Sequence, residues 1–316
     1  MGPVTARPGG VCFDRGMHRS RAILPTALAL AGLLPLTACG SRVAATPGGP
    51  ALPPADGADC AVAASGRAAP SPTASARDGV RITAADPSCV EVEVTNPEPE
   101  AYAYTVTLDL GAPGPGNTVR TLPYVGGGRT VHDAVRLSGG PTGSPVRPLG
   151  GTRGGAPKVL LVRSVPVAEA PPVPGICPPS GLRLTADQGS AAMGLRAVGL
   201  LLENCGAAPL RLNGFPAAEP LGLDHRPVDG VAVLRGGSAI ATGTGAEDTA
   251  REFDLAPGES ARSVITWRNT TGTEGAPVLA PYLRVRAVPG TAPVTVTPEL
   301  DLGTTGRLGI GAWTKA

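Results

Sequence analysis

Aromatic side chains are scarce in this chain of 316 residues, which has two tryptophans, four tyrosines and three phenylalanines. Proteins that grip sugars or single-stranded nucleic acid by stacking need exposed rings, and a chain this poor in them must spend them on its core first. Charge is thin as well, at 16% of residues, with lysine only at Lys158 and Lys315. The net charge of +2 is concentrated at the start, where Arg7, Arg15, Arg19 and Arg21 precede Cys39 against a single acid, Asp14. The remainder is close to neutral and slightly acidic, so it has no basic excess to neutralise phosphates, and nucleic acid is not an expected partner. Histidine is limited to His18, His132 and His225, none beside a cysteine pair, and no CxxC occurs. That spacing offers no zinc ligand set, and neither a metal nor a resident cofactor is expected.

What is abundant is Gly (45) and Pro (36), the two poorest residues for a helix interior, which directs the chain to short strands and many turns. The length suits two domains.

The segment MHRSRAILPTALALAGLLPLTAC, residues 17–39, sets Arg19 and Arg21 before an apolar run from Ala22 to Ala38. This is the layout of a secretory signal peptide, interrupted by Pro25 and Pro35 and at the short limit for a membrane span. Leu36-Thr37-Ala38-Cys39 resembles the bacterial lipobox. The resemblance implies a diacylglyceryl thioether on Cys39, cleavage before it, and a protein anchored on the extracellular face of the plasma membrane. Residues 1–38 are then the signal, with Met17 the better start, and the Gly-, Pro- and Ala-rich residues 39–58 a flexible tether.

Export places the remaining cysteines where disulfides persist. Cys60, Cys89, Cys177 and Cys205 form an even set with three possible connectivities, of which the sequence-local pairing Cys60–Cys89 and Cys177–Cys205 keeps each bridge inside one domain.

From Val80 onward, VRITAA, CVEVEVTN and YAYTVTLDL alternate at period two. Val90, Val92 and Val94 share one face, as do Tyr102, Tyr104, Val106 and Leu108 in the next strand. The expected architecture is all-β, two tandem antiparallel β-sandwich domains of immunoglobulin-like kind: 59–170, a proline-stiffened linker at 171–175, and 176–316. GVRITAAD at Gly79 and GLRLTAD at Gly181 form a faint repeat, each preceding a strand that ends in asparagine, Asn96 or Asn204. In LAPGES, Pro257-Gly258 fits the centre of a type II turn.

No catalytic constellation emerges. Ser260 lacks the second glycine of a nucleophile elbow and is expected in a hairpin turn. His132-Asp133 and Asp224-His225 are sequence neighbours that point apart, and read as solvated surface. Gly243-Thr244-Gly245 lacks the context of a phosphate loop, and Asn269-Thr270-Thr271 is a chance sequon. Trp267 and Trp313 read as core anchors, which leaves Tyr282 and Phe215 as the aromatics for a rim site, and Gly214-Phe215-Pro216 as a strand-ending bend.

The run Gly189 to Gly194, then LLENCGAAPLRLNGFP (Leu201 to Pro216), LAPGESA, TWRN and DLGTTGRLGIGAW resemble the domain of unknown function 4232 family over about residues 176–316. The family occurs on secreted and lipid-anchored actinobacterial proteins. The resemblance implies a β-sandwich and an envelope location, and it supplies no activity and no catalytic residue. Here Cys205 directly follows Asn204, whereas the commoner family pattern sets the cysteine several residues later.

The expected function is therefore a non-enzymatic, lipid-anchored envelope protein presenting β-sandwich modules to an envelope protein or a small ligand. Its alternatives are a hydrolase or enzyme subunit with an interdomain carboxylate site, and a structural spacer.

Overall fold

The alternating valines of the first strands turn one face inward, and the chain folds around that face. In the computed structural model the described residues are 76–86, 89–109, 117–136, 156–272 and 275–316. The signal, the lipobox residues Leu36, Thr37, Ala38 and Cys39, the tether and Cys60 lie outside them. All described residues belong to one unit, Pro53–Ala316. They form strands, turns and one short 3-10 turn, Val167–Glu169, and among them no helix is long and apolar enough to cross a membrane.

The first region contains β1 (Ala76–Arg77), β2 (Val80–Asp86), β3 (Cys89–Thr95), β4 (Tyr102–Asp109), β5 (Asn117–Val125), β6 (Thr130–Arg136) and β7 (Lys158–Pro166). One sheet runs β1-β2-β3-β6 and the other β5-β4-β7, all antiparallel. Val90, Val92 and Val94 of one sheet and Tyr104, Val106 and Leu108 of the other share one apolar core. Period-two alternation allows this because successive side chains leave opposite faces of a strand. Cys89, buried at the start of β3, is disulfide-bonded, and its expected partner Cys60 lies outside the described residues.

The second region opens with β8 (Leu182–Ala186), β9 (Ser190–Ala192), β10 (Leu195–Asn204), β11 (Leu210–Leu212) and β12 (Ala217–Leu221). It continues with β13 (Ala232–Arg235), β14 (Phe253–Leu255), β15 (Ser260–Arg268), β16 (Leu279–Ala280) and β17 (Tyr282–Arg286). It closes with β18 (Val294–Val296), β19 (Leu300–Asp301), β20 (Arg307–Ile310) and β21 (Thr314–Lys315). The main sheet runs β13-β20-β15-β10-β8, with β9 also on β10 and β21 on β15, and a second sheet runs β12-β17-β18. Not every pair is antiparallel: β13 runs parallel to β20, because the long connection after β13 lets the chain return in the same direction.

Trp267 and Trp313 are both buried in the core of this region. Each indole N–H finds a partner, Asp301 Oδ1 for Trp267 and the Ala287 carbonyl for Trp313. A buried donor left unpaired is costly, so the two partners belong to the packing. Cys177 is bonded to Cys205, the sequence-local pairing, over a separation of 28 residues. A loop of that length contributes roughly 3–4 kcal/mol in the chain-entropy treatment.

The faint repeat corresponds to a shared corner. Asn96 and Asn204 are fully or almost fully buried where β3 and β10 end. Each side-chain amide donates to the carbonyl four residues on, Glu100 or Ala208, and to the last residue of a strand in another sheet, Val125 of β5 or Leu255 of β14, which pairs with β11. Each side-chain oxygen accepts from the backbone N–H two residues on, Glu98 or Gly206. The backbone N–H groups match too, donating to Arg129 and Glu259, the residues just before β6 and β15. One asparagine thus ties the corner to both strands in each region.

Two sequence readings need correction here. Pro257-Gly258 does form the expected turn, with Gly258 at φ +83° and Glu259 N–H bonded to the Ala256 carbonyl. It is not a hairpin, however, because β14 pairs with β11 while β15 pairs with β10, so Ser260 follows a corner between sheets. Asp133 is not solvated either: its side chain is 8% exposed and takes both a 2.5 Å and a 3.1 Å hydrogen bond from Arg120, across from β6 to β5. Asp133 shares the inward face of β6 with Val131 and Val135, opposite Val92, while its neighbour His132 takes the exposed face.

Candidate functional site

Two neighbouring features concentrate polar chemistry, a seam where side chains of the two regions meet and a cavity beside it. The seam is built on Tyr282 of β17, which is 3% exposed. Its ring stacks on His225 at 4.4 Å and 27°, and the other side of the seam presents Tyr102 of β4 edge-on to His225 at 5.9 Å. The Tyr282 hydroxyl accepts the Ser164 backbone N–H at 3.3 Å, and Val165, Leu221 and Ala170 pack around it. Arg163 makes two 2.6 Å hydrogen bonds to Glu299, and Arg284 donates to Glu169 at 2.9 Å and to Glu219 at 3.2 Å. Thr295 adds a 2.7 Å bond to Glu169.

Two residues the sequence assigned elsewhere therefore sit in this seam. Tyr282 is a buried seam residue, not a rim aromatic, and His225 is held between two tyrosines, not solvated. Asp224 remains exposed and accepts its own turn's Arg226 N–H. Phe215 is half-buried, with the Arg235 guanidinium 5.9 Å above its ring. His225 also has φ +59°, in the left-handed region that histidine visits more readily than most residues. The turn thereby delivers its ring to Tyr282.

Burial lowers the His225 pKa, and the Arg284 guanidinium lowers it further, against smaller opposing effects of Glu169, Asp224 and Glu98. In the unfolded chain the imidazole titrates near the ordinary 6.5, so the folded seam holds its proton less tightly. A group whose folded pKa lies below its unfolded one takes up protons first in the unfolded chain, so stability falls as pH drops below about 6.5. Urea midpoints measured between pH 7.5 and 5 are expected to decline in wild type. They should decline less in His225→Phe, which keeps a ring for stacking and loses the titration. An identical slope in the two proteins would remove His225 as its source.

Carboxylates from both regions do meet here, but Glu169, Glu219 and Glu299 all accept hydrogen bonds from arginine. Among the described residues, no three His, Cys, Asp or Glu side chains gather closely enough to hold a metal ion. His132 is exposed on β6, and Ser260, half-buried at the start of β15, accepts the Ala316 N–H at its backbone carbonyl. Thr244 closes its own loop by accepting the Ala246 N–H. The Asn269 side chain is engaged with Asp301.

The cavity has a volume of about 370 Å³. One wall runs from the connection after β8 into β9, from Gln188 to Ala191; Arg196 and Val198 of β10 and Trp267 of β15 line it further, and Pro298, Glu299 and Asp301 close the other side. The break between β8 and β9 shapes that first wall. Both strands pair with β10, but Asp187 interrupts the ladder by accepting the Gly189 and Gly199 N–H groups, each at 2.8 Å. Gly189, at φ +69°, turns the chain there, and a Cβ on it would lie 2.6 Å from the Ala197 carbonyl oxygen. Glu299 sits in the left-handed region as well, at φ +54°, with its carboxylate directed to Arg163.

Arg196, Glu299 and Asp301 were not singled out by sequence reasoning. Asp301 and Arg196 are 105 positions apart in number, and no motif or period links them; only the pairing of β10 with β15, and Asp301's bonds to Trp267 and Asn269, bring them together. No curated protein and no solved structure matches this chain. Residues 177–314, the whole second region from the disulfide to the last strand, match the family described as Domain of unknown function (DUF4232), and this region is a DUF4232 domain.

Proposed function

We propose that the chain is a non-enzymatic, lipid-anchored protein of the cell envelope, held on the extracellular face of the plasma membrane through Cys39. In this reading it presents two immunoglobulin-like β-sandwich modules, as one stiff body, to a protein or small-ligand partner. The observation that carries it is the order of the N-terminal features: basic Arg19 and Arg21, the apolar run, Leu36-Thr37-Ala38-Cys39, and a tether leading to the strands. The seam supports the presentation of one body, because bidentate Arg163–Glu299 bonds and the buried Tyr282 resist hinging. The arginine partners of the seam carboxylates support binding over catalysis, since an acid or base tied in an ion pair is poorly placed to move protons.

Detergent partitioning of the full chain tests the anchor. Wild type is expected in the detergent phase, labelled by a fatty-acid analogue. Cys39→Ala is expected in the aqueous phase, unlabelled and folded. Partitioning that does not change in the variant would sink the lipid-anchor reading.

A further inference from the structure

We infer that the cavity beside β9 is a binding site for an α-amino-acid zwitterion with a small apolar side chain. The inference rests on the reading of the chain as a binding protein and is independent of the lipid anchor. Its basis is an ion pair held open. Arg196 and Asp301, both on the cavity wall, stand 4.0 Å apart, beyond hydrogen-bond distance, with side chains 30% and 39% exposed.

On its acidic side the pair is fixed, because Asp301 is pinned. Its Oδ1 accepts the Trp267 indole N–H at 2.8 Å, and its Oδ2 accepts the Asn269 side-chain amide at 2.8 Å. Trp267 is buried and its strand is locked to β10, so it cannot follow a moving carboxylate. Among the described residues the Arg196 side chain donates only a long, 3.4 Å bond, to the neighbouring Leu195 carbonyl, and retains donors for a ligand.

These charges select against simpler ligands. An anion alone would meet Arg196 but also the charges of Asp301 and Glu299, and a cation alone would meet Arg196 as a repulsion. An α-amino acid carries both signs two bonds apart. Its carboxylate can take Arg196 while its ammonium takes Asp301, so that four charges alternate around a ring. Glu299 does not compete for the ammonium, because Arg163 holds it with two hydrogen bonds. Ala191, Val198 and Pro298 supply apolar surface for the side chain, and the exposed Ser190 hydroxyl and Gln188 amide lie at the same cavity.

The two tryptophans give a built-in readout. Trp267's indole N–H is bonded to Asp301, whereas that of Trp313 is bonded to the Ala287 carbonyl in the core. We would titrate the ¹⁵N-labelled full chain in detergent with L-alanine, D-alanine, acetate, methylamine and glycerol, each to tens of millimolar. Alanine of at least one hand is expected to shift the Trp267 indole resonance saturably while Trp313 stays in place. Acetate and methylamine should bind about fivefold more weakly or worse. Arg196→Gln is expected to weaken alanine binding roughly tenfold, with Arg196→Lys in between, and the unmoved Trp313 resonance reports that both variants are folded. No saturable shift with either alanine, equal binding of acetate or glycerol, or full binding by folded Arg196→Gln would each overturn the assignment. Detergent partitioning would be untouched by any of these outcomes, so the two readings fail separately.

Discussion

Asn204→Ala is expected to destabilise the second region by about 3 kcal/mol, measured as the loss in urea-unfolding free energy. The substitution removes one buried side chain and takes the amide donor from the Ala208 and Leu255 carbonyls, while the Gly206 N–H keeps its 3.0 Å bond to the Gly181 carbonyl. An unpaired buried group costs about 1–3 kcal/mol, and of the two carbonyls that of Leu255 is the more enclosed. Asn204→Asp is a sharper test because it keeps the shape. At pH 7 a carboxylate would face two carbonyl oxygens, so the variant should be less stable than Asn204→Ala. Burial and those carbonyls raise the folded-state pKa of the new acid above its unfolded value. The folded variant then binds the extra proton, and its deficit against wild type should shrink from pH 7 to pH 5. Asn96→Ala is expected to do the same to the first region, where the amide also reaches the Glu100 and Val125 carbonyls. A loss below about 1 kcal/mol in both alanine variants would mean that the corner bonds are replaceable by water.

Tyr282→Ala should separate the two regions thermally. Wild type is expected to melt in one calorimetric transition, because the Tyr282 ring, His225, Tyr102 and the Arg163–Glu299 bonds couple the regions. Truncating a buried aromatic ring costs about 3–5 kcal/mol. Here it also frees His225 and unpairs the Ser164 N–H. The coupling is then lost, and two transitions are expected, one for each core. Tyr282→Phe keeps the stacking and loses only the hydroxyl's bond, so it should cost about 1 kcal/mol and keep a single transition. A single transition in the alanine variant with an unchanged midpoint would show that the regions are coupled elsewhere.

The strands were legible because a period of two is a local property. Val90, Val92 and Val94 face the core whatever lies opposite, and Trp267 and Trp313 are large enough that burial was the default. The Pro257-Gly258 turn was legible for a similar reason, since the two residues carry their own backbone preferences. Its role as a corner was not, because that depends on which strands β14 and β15 choose as partners. Asn96 and Asn204 could be noticed as repeated strand ends, but the reason for the repeat lies in carbonyls of another sheet. His225 and Tyr282 were misread for the same cause: an aromatic and a histidine near turns look exposed until a second surface covers them.

By itself the sequence determined the strand-rich class, the faces of individual strands, the sequence-local Cys177–Cys205 pairing as a preference, and the kinship of residues 177–314. Only the tertiary structure decided the parallel β13–β20 pair, the seam and the open Arg196–Asp301 pair. The division has one physical origin. Side-chain alternation and turn preference act between neighbours in the chain, whereas ion pairs, ring stacks and cavities are set by residues that meet only after the sheets have packed.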